Sequence, residues 1–519
     1  MAKGKVYLVG AGPGDPGLFT LKGRDVLAQA EVVIYDYLAN EELLEFAPPQ
    51  AERIYVGKKG GDHTLSQEDI NRLLVEKGRE HLVVRLKGGD PFIFGRGGEE
   101  AEELVAARIP FEVVPGVTAA VAVPAYAGIP LSHRDFTASI GLVTGHERDG
   151  KEESNIAWDK LACGVGTLVL FMGVKNLAEI CRKLIFHGRP AETPVAVIRW
   201  GTTPRQQTVA GTLESIADRV RQAGLKPPAI IVVGEVVGLR DTLNWFESRP
   251  LFGRSIIVTR AREQASDFKE ILQRLGAHCI EFPTIGIEPP PSWEPLDAAI
   301  ARLSSYHWII FTSVNGVEFF LQRLFATGCD VRELKGLRLC AIGPKTAEVL
   351  ERHGLRLDLI PEEYRAESIL DGLSGEPVTG LRFLMPRALA ARDILPETLR
   401  RRGAQVDEVA AYQTVLPGSR TASVFQALTQ GQVDCLTFTS SSTVSNFFGM
   451  FERDAIMPVL KGVAIACIGP VTAQTAEKYG LTVDIMPSTY TIPAMVEAIQ
   501  DYFAAMQPRA HGDRREQPA

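Results

Sequence analysis

Two glycine-rich segments have the composition of loops that hold a small molecule. Residues 10–15 follow the apolar segment 5–9, and residues 88–98, with five glycines in eleven positions, follow the apolar segment 81–86. Glycine lets a backbone approach a ligand closely and adopt positive φ angles. Open α/β sheets bind small molecules just beyond the carboxyl ends of their strands. The two segments therefore predict one ligand-binding cleft.

Neither segment matches a phosphate-binding motif. A dinucleotide fingerprint needs glycine at the position of Asp15, and Pro13 and Pro16 postpone the following helix to about Thr20. A helix that starts so late cannot place its N-terminus under a pyrophosphate. No G-x-x-x-x-G-K-S/T sequence occurs in the chain. Nucleotide phosphates are thus not the expected ligand, and for the first glycine segment alone a tight strand-to-helix turn stays an alternative.

Strand-like and helix-like segments alternate along the first half. Strands are predicted at residues 5–9, 31–35, 53–56, 81–86 and 111–114, and again at 139–144, 167–172, 194–198 and 229–233. Helices are predicted between them, among them 21–30, 67–76 and 99–107. Such alternation predicts α/β lobes with parallel sheets and crossover helices. We expect two lobes, at about 1–115 and 116–246, and a linker over 247–254.

The second half contains an internal repeat. The Phe-Thr-Ser of residues 311–313 recurs 127 positions later, and the segment 341–347 recurs 126 positions later as 467–473. A repeat this long indicates two similar α/β lobes, and pockets favour the interfaces between lobes. Hydroxyl side chains near helix N-termini can bind an anion, while plain helix capping is the alternative for any single one. The small hydroxyl residues at the strand ends of the two copies are Thr312, Ser313, Thr346, Thr439, Ser440, Ser441, Ser442 and Thr472.

Composition and charge exclude several classes of protein. The net charge is −7 and neither half is basic, so nucleic acid is not an expected partner. The seven cysteines include no C-x-x-C pair, which predicts no metal site and fits a reducing cytoplasm. No apolar run approaches the roughly 20 residues that span a bilayer, so a membrane segment is not expected. The first residues lead straight into a predicted strand, and no signal peptide is expected either.

The first half resembles uroporphyrinogen-III C-methyltransferase, a tetrapyrrole methylase. Residues 10–17, 86–99, 114–119 and 128–135 carry the resemblance, which covers residues 4 to about 246. It implies the two-lobe tetrapyrrole-methylase fold, S-adenosylmethionine held between the lobes, and a homodimer. The residues implied to line the cofactor site are Pro13, Gly88, Gly89, Asp90, Ile93, Thr118, Ala119, Met172, Gly201 and Ala229.

The same resemblance implies roles for four charged or titratable residues. Asp36 would be the base that removes a proton during methyl transfer, with Lys58 as its proton partner. His133 and Arg134 would bind substrate carboxylates. Taken alone, Asp36 would cap a helix and Lys58 would be a solvated surface charge. His133 and Arg134 could equally belong to a surface turn, and Met172 could simply fill a core.

The second half resembles uroporphyrinogen-III synthase, through residues 258–260, 310–313, 342–347, 411–415 and 468–473. The resemblance implies two doubly wound lobes joined by a two-stranded connector. The outer lobe would comprise residues 255–285 and 416–505, the inner lobe residues 286–415, and residues 506–519 a disordered tail. The implied substrate is hydroxymethylbilane, and no cofactor is expected.

The synthase resemblance also assigns residues. Tyr412, in the connector and facing the cleft, would donate a proton to the leaving hydroxyl group. A buried tyrosine in a β-ladder is the alternative for Tyr412. The residues implied to hold substrate carboxylates are Ser313, Thr346, Ser440 and Thr472.

Together the two resemblances predict a cytoplasmic bifunctional α/β enzyme of tetrapyrrole synthesis. It would convert hydroxymethylbilane to uroporphyrinogen III and methylate that product at carbons 2 and 7 to give precorrin-2, for sirohaem and/or cobalamin. Its partners would be small-molecule tetrapyrroles, with neither nucleic acid nor membrane involved. The alternative is another tetrapyrrole methylase fused to a non-catalytic tetrapyrrole-binding module.

Overall fold

The chain forms four β-sheets flanked by helices in its computed structural model. Two sheets lie in each half, which confirms the α/β class predicted from the alternating segments. The structure describes residues 4–57, 65–145, 155–260, 262–361, 366–373, 377–390, 394–415 and 421–506. Lys58 and most of the predicted tail over 506–519 lie outside the described residues.

The first sheet has five strands, β1 Lys5–Gly10, β2 Val32–Tyr35, β3 Glu52–Tyr55, β4 Leu82–Lys87 and β5 Phe111–Val114. Their order is β3-β2-β4-β1-β5 and every pair is parallel, as predicted. The helices are α1 Leu21–Leu27, α2 Gln67–Gly78, α3 Gly97–Ala106 and α4 Ala119–Tyr126. Helix α1 begins only after its N-cap Thr20, as the prolines predict. All five strands therefore end at one edge of the sheet.

The second sheet has strands β6 Ile140–Thr144, β7 Thr167–Phe171, β8 Pro194–Arg199, β9 Gln207–Thr212 and β10 Ala229–Val233. Its helices are α5 Trp158–Gly164, α6 Leu177–Phe186, α7 Ile216–Gln222 and α8 Arg240–Leu243. The order is β6-β7-β10-β8-β9.

The prediction of a parallel sheet is wrong for this second lobe. Strand β10 runs antiparallel to both β7 and β8, and β9 runs antiparallel to β8. Strand-helix alternation does not encode strand direction, and the sequence pattern predicts no strand over 207–212, where the structure has β9. As a consequence, Ala229 at the start of β10 pairs with Arg199 at the end of β8. The start of β10 thus shares an edge with the ends of β7 and β8.

The second half adds nine strands and eleven helices to the described chain. The strands are β11 Ser255–Val258, β12 His278–Glu281, β13 Gly286–Glu288, β14 Trp308–Phe311, β15 Arg338–Ala341, β16 Arg382–Ala388, β17 Gln405–Val415, β18 Cys435–Phe438 and β19 Ala464–Cys467. The helices are α9 Arg262–Arg274, α10 Glu294–Ile300, α11 Val314–Ala326, α12 Pro344–Arg352, α13 Ala366–Gly372, α14 Ile394–Arg401, α15 Thr421–Thr429, α16 Ser441–Gly449, α17 Arg453–Val459, α18 Pro470–Lys478 and α19 Ile492–Ala505.

These strands form two sheets, and the chain passes from the third sheet to the fourth and then back to the third. The third sheet, in the order β12-β11-β18-β19, is parallel throughout. The fourth has the order β13-β17-β16-β14-β15, and only β13 is antiparallel to its neighbour. The chain leaves the third sheet through β13 and returns after β17, so these two paired strands form the connection between the sheets.

The internal repeat of the sequence is also a repeat of structure. The Asp358 carboxylate accepts a hydrogen bond from the Leu339 amide at 2.8 Å, and Asp484 accepts from the Ile465 amide at 2.8 Å, a shift of 126 positions at both ends. Phe311 and Phe320 lie 5.5 Å apart, and their counterparts Phe438 and Phe447 lie 5.6 Å apart. The two lobes thus use the same local packing.

The helices are short. The longest in the described ranges, α19, has 14 residues, whereas a bilayer-spanning helix needs about 20. Over the residues described, the structure contains no helix with both the length and the apolar character to cross a membrane.

Candidate functional sites

The two glycine-rich loops of the first lobe pair with each other. The Gly12 amide donates to the Gly89 carbonyl at 3.1 Å, and the Gly89 amide donates to the Gly12 carbonyl at 2.7 Å. The Ala11 amide donates to the Lys87 carbonyl at 2.7 Å. Both loops leave adjacent parallel strands at the same edge of the sheet, so the predicted convergence of the two segments is confirmed.

A third loop, after β5, closes on this pair. A Cβ atom built on Gly10 would lie 2.5 Å from the amide nitrogen and from the Cα of Gly116, and 2.7 Å from the Gly89 carbonyl oxygen. These atoms are backbone and cannot turn aside as a side chain can. Asp90 ties the loops together, because its Oδ2 accepts from the Gly116 amide at 3.0 Å. Only glycine at position 10 permits this close approach of the three loops.

The second lobe faces the same loops. The Asp15 amide donates to Thr202 Oγ1 at 3.1 Å. The rings of Phe94 and Phe171 lie 5.0 Å apart, and those of Tyr37 and Trp200 lie 5.7 Å apart. In each pair one residue follows a strand of the first sheet and the other stands at the end of β7 or just after β8. A cleft edge is thereby formed between the two sheets.

Backbone strain is concentrated at this edge. Among the described residues, six that are not glycine have positive φ, and five of them stand in the loops around the cleft. They are Phe94, Arg96, Met172, Trp200 and Thr202, with φ between 50° and 66°. Such conformations cost free energy and cluster at ligand-binding and active sites.

The residues predicted for the cofactor lie at this edge in both lobes. Gly88 and Gly89 lie in the loop after β4, with Gly89 at φ 68°. Thr118 caps α4 and Ala119 is its first residue. Met172 directly follows β7 and is 53% exposed although apolar. The others are placed as follows: Pro13 between Gly12 and Gly14 after β1, Asp90 against Gly116, Ile93 exposed after β4, Gly201 against Val123, and Ala229 at the start of β10.

Asp36 follows β2 and belongs to a cluster of buried charges that the sequence analysis missed. Its Oδ2 accepts from Arg85 Nη2 at 3.1 Å, and Arg85 and Lys87 both contact Glu100. Burial lowers the pKa of the Lys87 ammonium, and the neighbouring Arg85 adds to this effect. The available signal was the pair of cations, Arg85 and Lys87, that interrupts the apolar strand β4.

Among the described residues, no observed contact brings His133 or Arg134 to Asp36. His133 and Arg134 lie in a turn before β6, where His133 Nδ1 accepts from the Asp135 amide at 3.2 Å. The His133 ring packs on Phe136 at 4.9 Å. Lys58 lies outside the described residues.

In the second half, Ser313 and Tyr412 are brought together. Their hydroxyl oxygens lie 3.0 Å apart, and Ser313 Oγ also accepts from the Gly316 amide as the N-cap of α11. The Tyr412 ring is stacked on Phe319 at 6.0 Å and the residue is only 8% exposed. Tyr412 pairs with Ala388 of β16, one position before the residues of β17 that pair with β13.

The other three predicted hydroxyl residues stand at the starts of helices. Ser440 caps α16 by accepting from the Thr443 amide at 3.2 Å, and its Oγ lies 2.9 Å from Ser442 Oγ. Thr346 and Thr472 are the third residues of α12 and α18, and both are buried. Strands β14 and β15 are neighbours in the fourth sheet, and β18 and β19 are neighbours in the third. Each lobe therefore places one serine and one threonine beyond the ends of two neighbouring strands.

Comparison with known proteins accounts for both halves. Residues 5–217 match the family described as Tetrapyrrole (Corrin/Porphyrin) Methylases, and residues 266–497 match Uroporphyrinogen-III synthase HemD. The uroporphyrinogen-III C-methyltransferase of Priestia megaterium is 54% identical over 45% of this chain and 98% of that protein. The solved uroporphyrin-III C-methyl transferase from Thermus thermophilus, complexed with S-adenyl homocysteine, is 42% identical, with a TM-score of 0.40 over 46% of this chain and 100% of that one.

One relative spans both halves. The porphyrin biosynthesis protein HemD of Ruminiclostridium josui is 39% identical over 500 residues, which is 96% of this chain and 98% of that protein. A match of 500 residues in a chain of 519 extends over most of both of the regions assigned above to separate families. The chain therefore belongs to the family of fused tetrapyrrole methylases and uroporphyrinogen-III synthases.

Proposed function

We propose that the first half methylates uroporphyrinogen III at carbons 2 and 7 with S-adenosylmethionine, and that the second half makes uroporphyrinogen III from hydroxymethylbilane. The product, precorrin-2, would enter sirohaem and/or cobalamin synthesis. The observation that carries the proposal is the cleft edge of the first half, where three glycine backbones meet beside exposed apolar side chains. The names of the Priestia megaterium and Ruminiclostridium josui relatives support the choice of substrates.

The residues at this edge fit S-adenosylmethionine. A Cβ atom on Gly88 would overlap Leu38, whereas one on Gly89 would meet only the Ala119 amide nitrogen, at 3.7 Å, so the loop offers open backbone surface at Gly89. Ile93 and Met172 are exposed apolar side chains that can cover an adenine ring and thioether carbons. When bound, the donor supplies an electrophilic methyl group on a sulfonium sulfur. The other residues that we expect to hold it are Pro13, Gly89, Asp90, Thr118, Ala119, Gly201 and Ala229.

The chain's own side chains would orient the substrate and accept a proton. A methylated pyrrole ring system must lose a proton, and Asp36 Oδ2 would accept it. The Arg85 guanidinium, 3.1 Å from that oxygen, and the Leu38 amide, 3.1 Å from Oδ1, hold the carboxylate in one orientation. Lys58 would act as the proton partner, and His133 and Arg134 would bind substrate carboxylates.

In the second half, the paired hydroxyl groups of Ser313 and Tyr412 would act on hydroxymethylbilane. Tyr412 would donate the proton with which the substrate hydroxyl leaves as water, and the 3.0 Å contact with Ser313 orients its phenol. Ser313, Thr346, Ser440 and Thr472 stand at helix N-termini, where backbone amides favour carboxylates. No cofactor is required for this reaction.

One experiment tests both activities. The purified chain is incubated anaerobically with hydroxymethylbilane and S-adenosylmethionine, the isomeric products are separated by chromatography, and methylation is measured by mass spectrometry. Without the methyl donor we expect uroporphyrinogen III, and with it the dimethylated product. The Asp36→Asn variant should still form uroporphyrinogen III but methylate it at least about 100-fold more slowly. A wild-type chain that yields only uroporphyrinogen I would contradict the synthase assignment, and one that leaves uroporphyrinogen III unmethylated would contradict the methyltransferase assignment.

We further propose a homodimer that forms through the second lobe. Strand β6 is an edge strand, and it and the turn before it expose three apolar side chains, Phe136, Ile140 and Leu142. Exposed apolar edge strands usually have a partner. Sedimentation should find a dimer that Ile140→Asp with Leu142→Asp converts to a monomer. Phe186→Asp, at an exposed apolar residue on α6, is the control. A wild-type monomer would refute this proposal.

A further inference from the structure

A fully buried carboxylate, Glu100, stands behind Asp36. Glu100 is on α3, is 0% exposed, and belongs to a cluster of four charged residues, Asp36, Arg85, Lys87 and Glu100, which we call the Glu100 cluster. Two cations and two anions balance within it. Only Asp36 is partly exposed, with a quarter of its side chain accessible. The cluster therefore connects the interior of the first lobe to the cleft edge.

The contacts of Glu100 are unequal. Its Oε1 accepts from Lys87 Nζ at 2.6 Å, Gln67 Nε2 at 3.2 Å and Arg85 Nε at 3.3 Å. Its Oε2 is buried and has no hydrogen-bond partner among the described residues. The contacts with Lys87 and Arg85 offset the cost of burying this carboxylate, because each buried cation needs a compensating charge. All of these contacts are made through Oε1, so Glu100 holds both cations at one point on the side of the cluster away from Asp36 Oδ2.

Arg85 joins Glu100 to Asp36. Its Nε donates to Glu100, its Nη1 donates to the Leu86 carbonyl at 3.0 Å, and its Nη2 donates to Asp36 Oδ2. The planar guanidinium is thus fixed on three sides. Because the guanidinium of Arg85 is rigid, a shift in the contact between its Nε and Glu100 also moves the Nη2 group that contacts Asp36.

We propose that Glu100 is a positioning residue for methyl transfer. Glu100 accepts hydrogen bonds from Lys87 and from Nε of Arg85. Arg85 Nη2 is then left to donate to Asp36, and Lys87 is kept away from the Asp36 carboxylate. Asp36 is then directed at the substrate instead of being drawn inward between two cations. This inference rests on the proposed role of Asp36 as proton acceptor.

Removal of the Glu100 charge has a consequence that depends on pH. The charged groups that face Lys87 are Arg85 on the same strand, Asp36 after β2 and Glu100 on α3. The uncharged Gln67 on α2 donates to Glu100. Burial and Arg85 lower the pKa of Lys87, whereas Glu100 and Asp36 raise it. Without Glu100, Lys87 loses its proton at a lower pH. Above that pH the cluster again holds one cation and one anion, and Asp36 returns to its position.

The test is Glu100→Gln, which keeps the shape and removes the charge. At about pH 7 we expect kcat for methylation to fall about 10- to 100-fold, while KM and the affinity for S-adenosylhomocysteine stay within about twofold. As the pH is raised, the ratio of variant to wild-type kcat should increase, because burial and Arg85 lower the pKa of Lys87 and the variant lacks the Glu100 charge that opposes them. The double variant Lys87→Met with Glu100→Gln restores the charge balance. It should exceed the single variant at about pH 7 and lose the rise with pH.

The controls separate this inference from the proposed function. Glu103 lies on the exposed side of the same helix, so the Glu103→Gln variant should behave as wild type. If Glu100→Gln does not fold, Lys87→Met replaces it in the comparison, because it also unbalances the cluster and should also be slower than the double variant. A Glu100→Gln enzyme with wild-type kcat and pH profile, or a double variant no faster than the single ones, overturns the proposal. A wild-type chain without methylation activity would instead refute the proposed function.

Discussion

Gly10→Ala is the substitution with the most direct expected effect on ligand binding. The added Cβ would lie 2.5 Å from the Gly116 amide nitrogen and Cα, whereas ordinary contact begins at 3.4 Å. The shortfall is 0.9 Å against two backbone atoms, with the Gly89 carbonyl a third at 2.7 Å. To relieve it, the loop after β5 must move away from the loops after β1 and β4. Those are the loops proposed to hold S-adenosylmethionine.

The magnitude follows from the cost of overpacking. Inserting one methyl group into a close-packed site typically costs about 1–3 kcal/mol. The free protein can avoid that cost if the loops move apart. A ligand that binds only when the loops are together must then overcome the same cost, so its affinity falls. At 1.4 kcal/mol for each factor of ten, the affinity for S-adenosylhomocysteine should fall by about 5- to 150-fold.

The assay is isothermal titration calorimetry with S-adenosylhomocysteine, accompanied by thermal unfolding. The matched control is Gly98→Ala, in the same glycine-rich segment, where an added Cβ would meet no atom within 4 Å. Gly98 lies in α3, so alanine there should leave binding unchanged and stabilise the helix by about 0.5–1 kcal/mol. The reasoning is refuted if a folded Gly10→Ala chain binds as tightly as wild type, or if Gly98→Ala loses as much affinity.

Three further predictions concern other parts of the chain. Tyr412→Phe, which removes the hydroxyl that contacts Ser313, should lower kcat of uroporphyrinogen III formation by about 100-fold with little change in KM; equal rates for variant and wild type would remove Tyr412 from the reaction. Phe447→Ala empties a fully buried position among four other phenylalanine rings and should cost about 3–5 kcal/mol of unfolding free energy. Denaturant unfolding followed by synthase activity should show this loss while S-adenosylhomocysteine binding is retained; an unchanged midpoint would contradict it. Cys163 is exposed, whereas burial raises the pKa of Cys181 to about 11, so iodoacetamide at about pH 8 should alkylate Cys163 first. Peptide mass spectrometry measures the order, and the reverse order would show that the second lobe opens more readily than its packing indicates.

Much of the fold could be predicted because its signals are local. The mainly apolar segments of β1 and β4 and the prolines that delay α1 to Thr20 each act within a few residues. The convergence of the Gly10 and Gly88 segments followed from one rule, that parallel strands end at the same edge. The repeat of 126–127 positions could likewise be read directly, because both copies kept the same capping and turn residues.

The α/β class, the duplicated second half and the convergence of the glycine-rich loops in the first half all follow from patterns in the sequence. Tertiary structure alone decided the antiparallel course of β10, which brings Ala229 to the edge shared by Met172 and Gly201. It also decided that Glu100, thirteen positions from Lys87 and far along the chain from Asp36, shares one buried charge cluster with them. The physical reason is that strand direction and the pairing of buried charges depend on contacts between distant segments, which no local pattern of residues encodes.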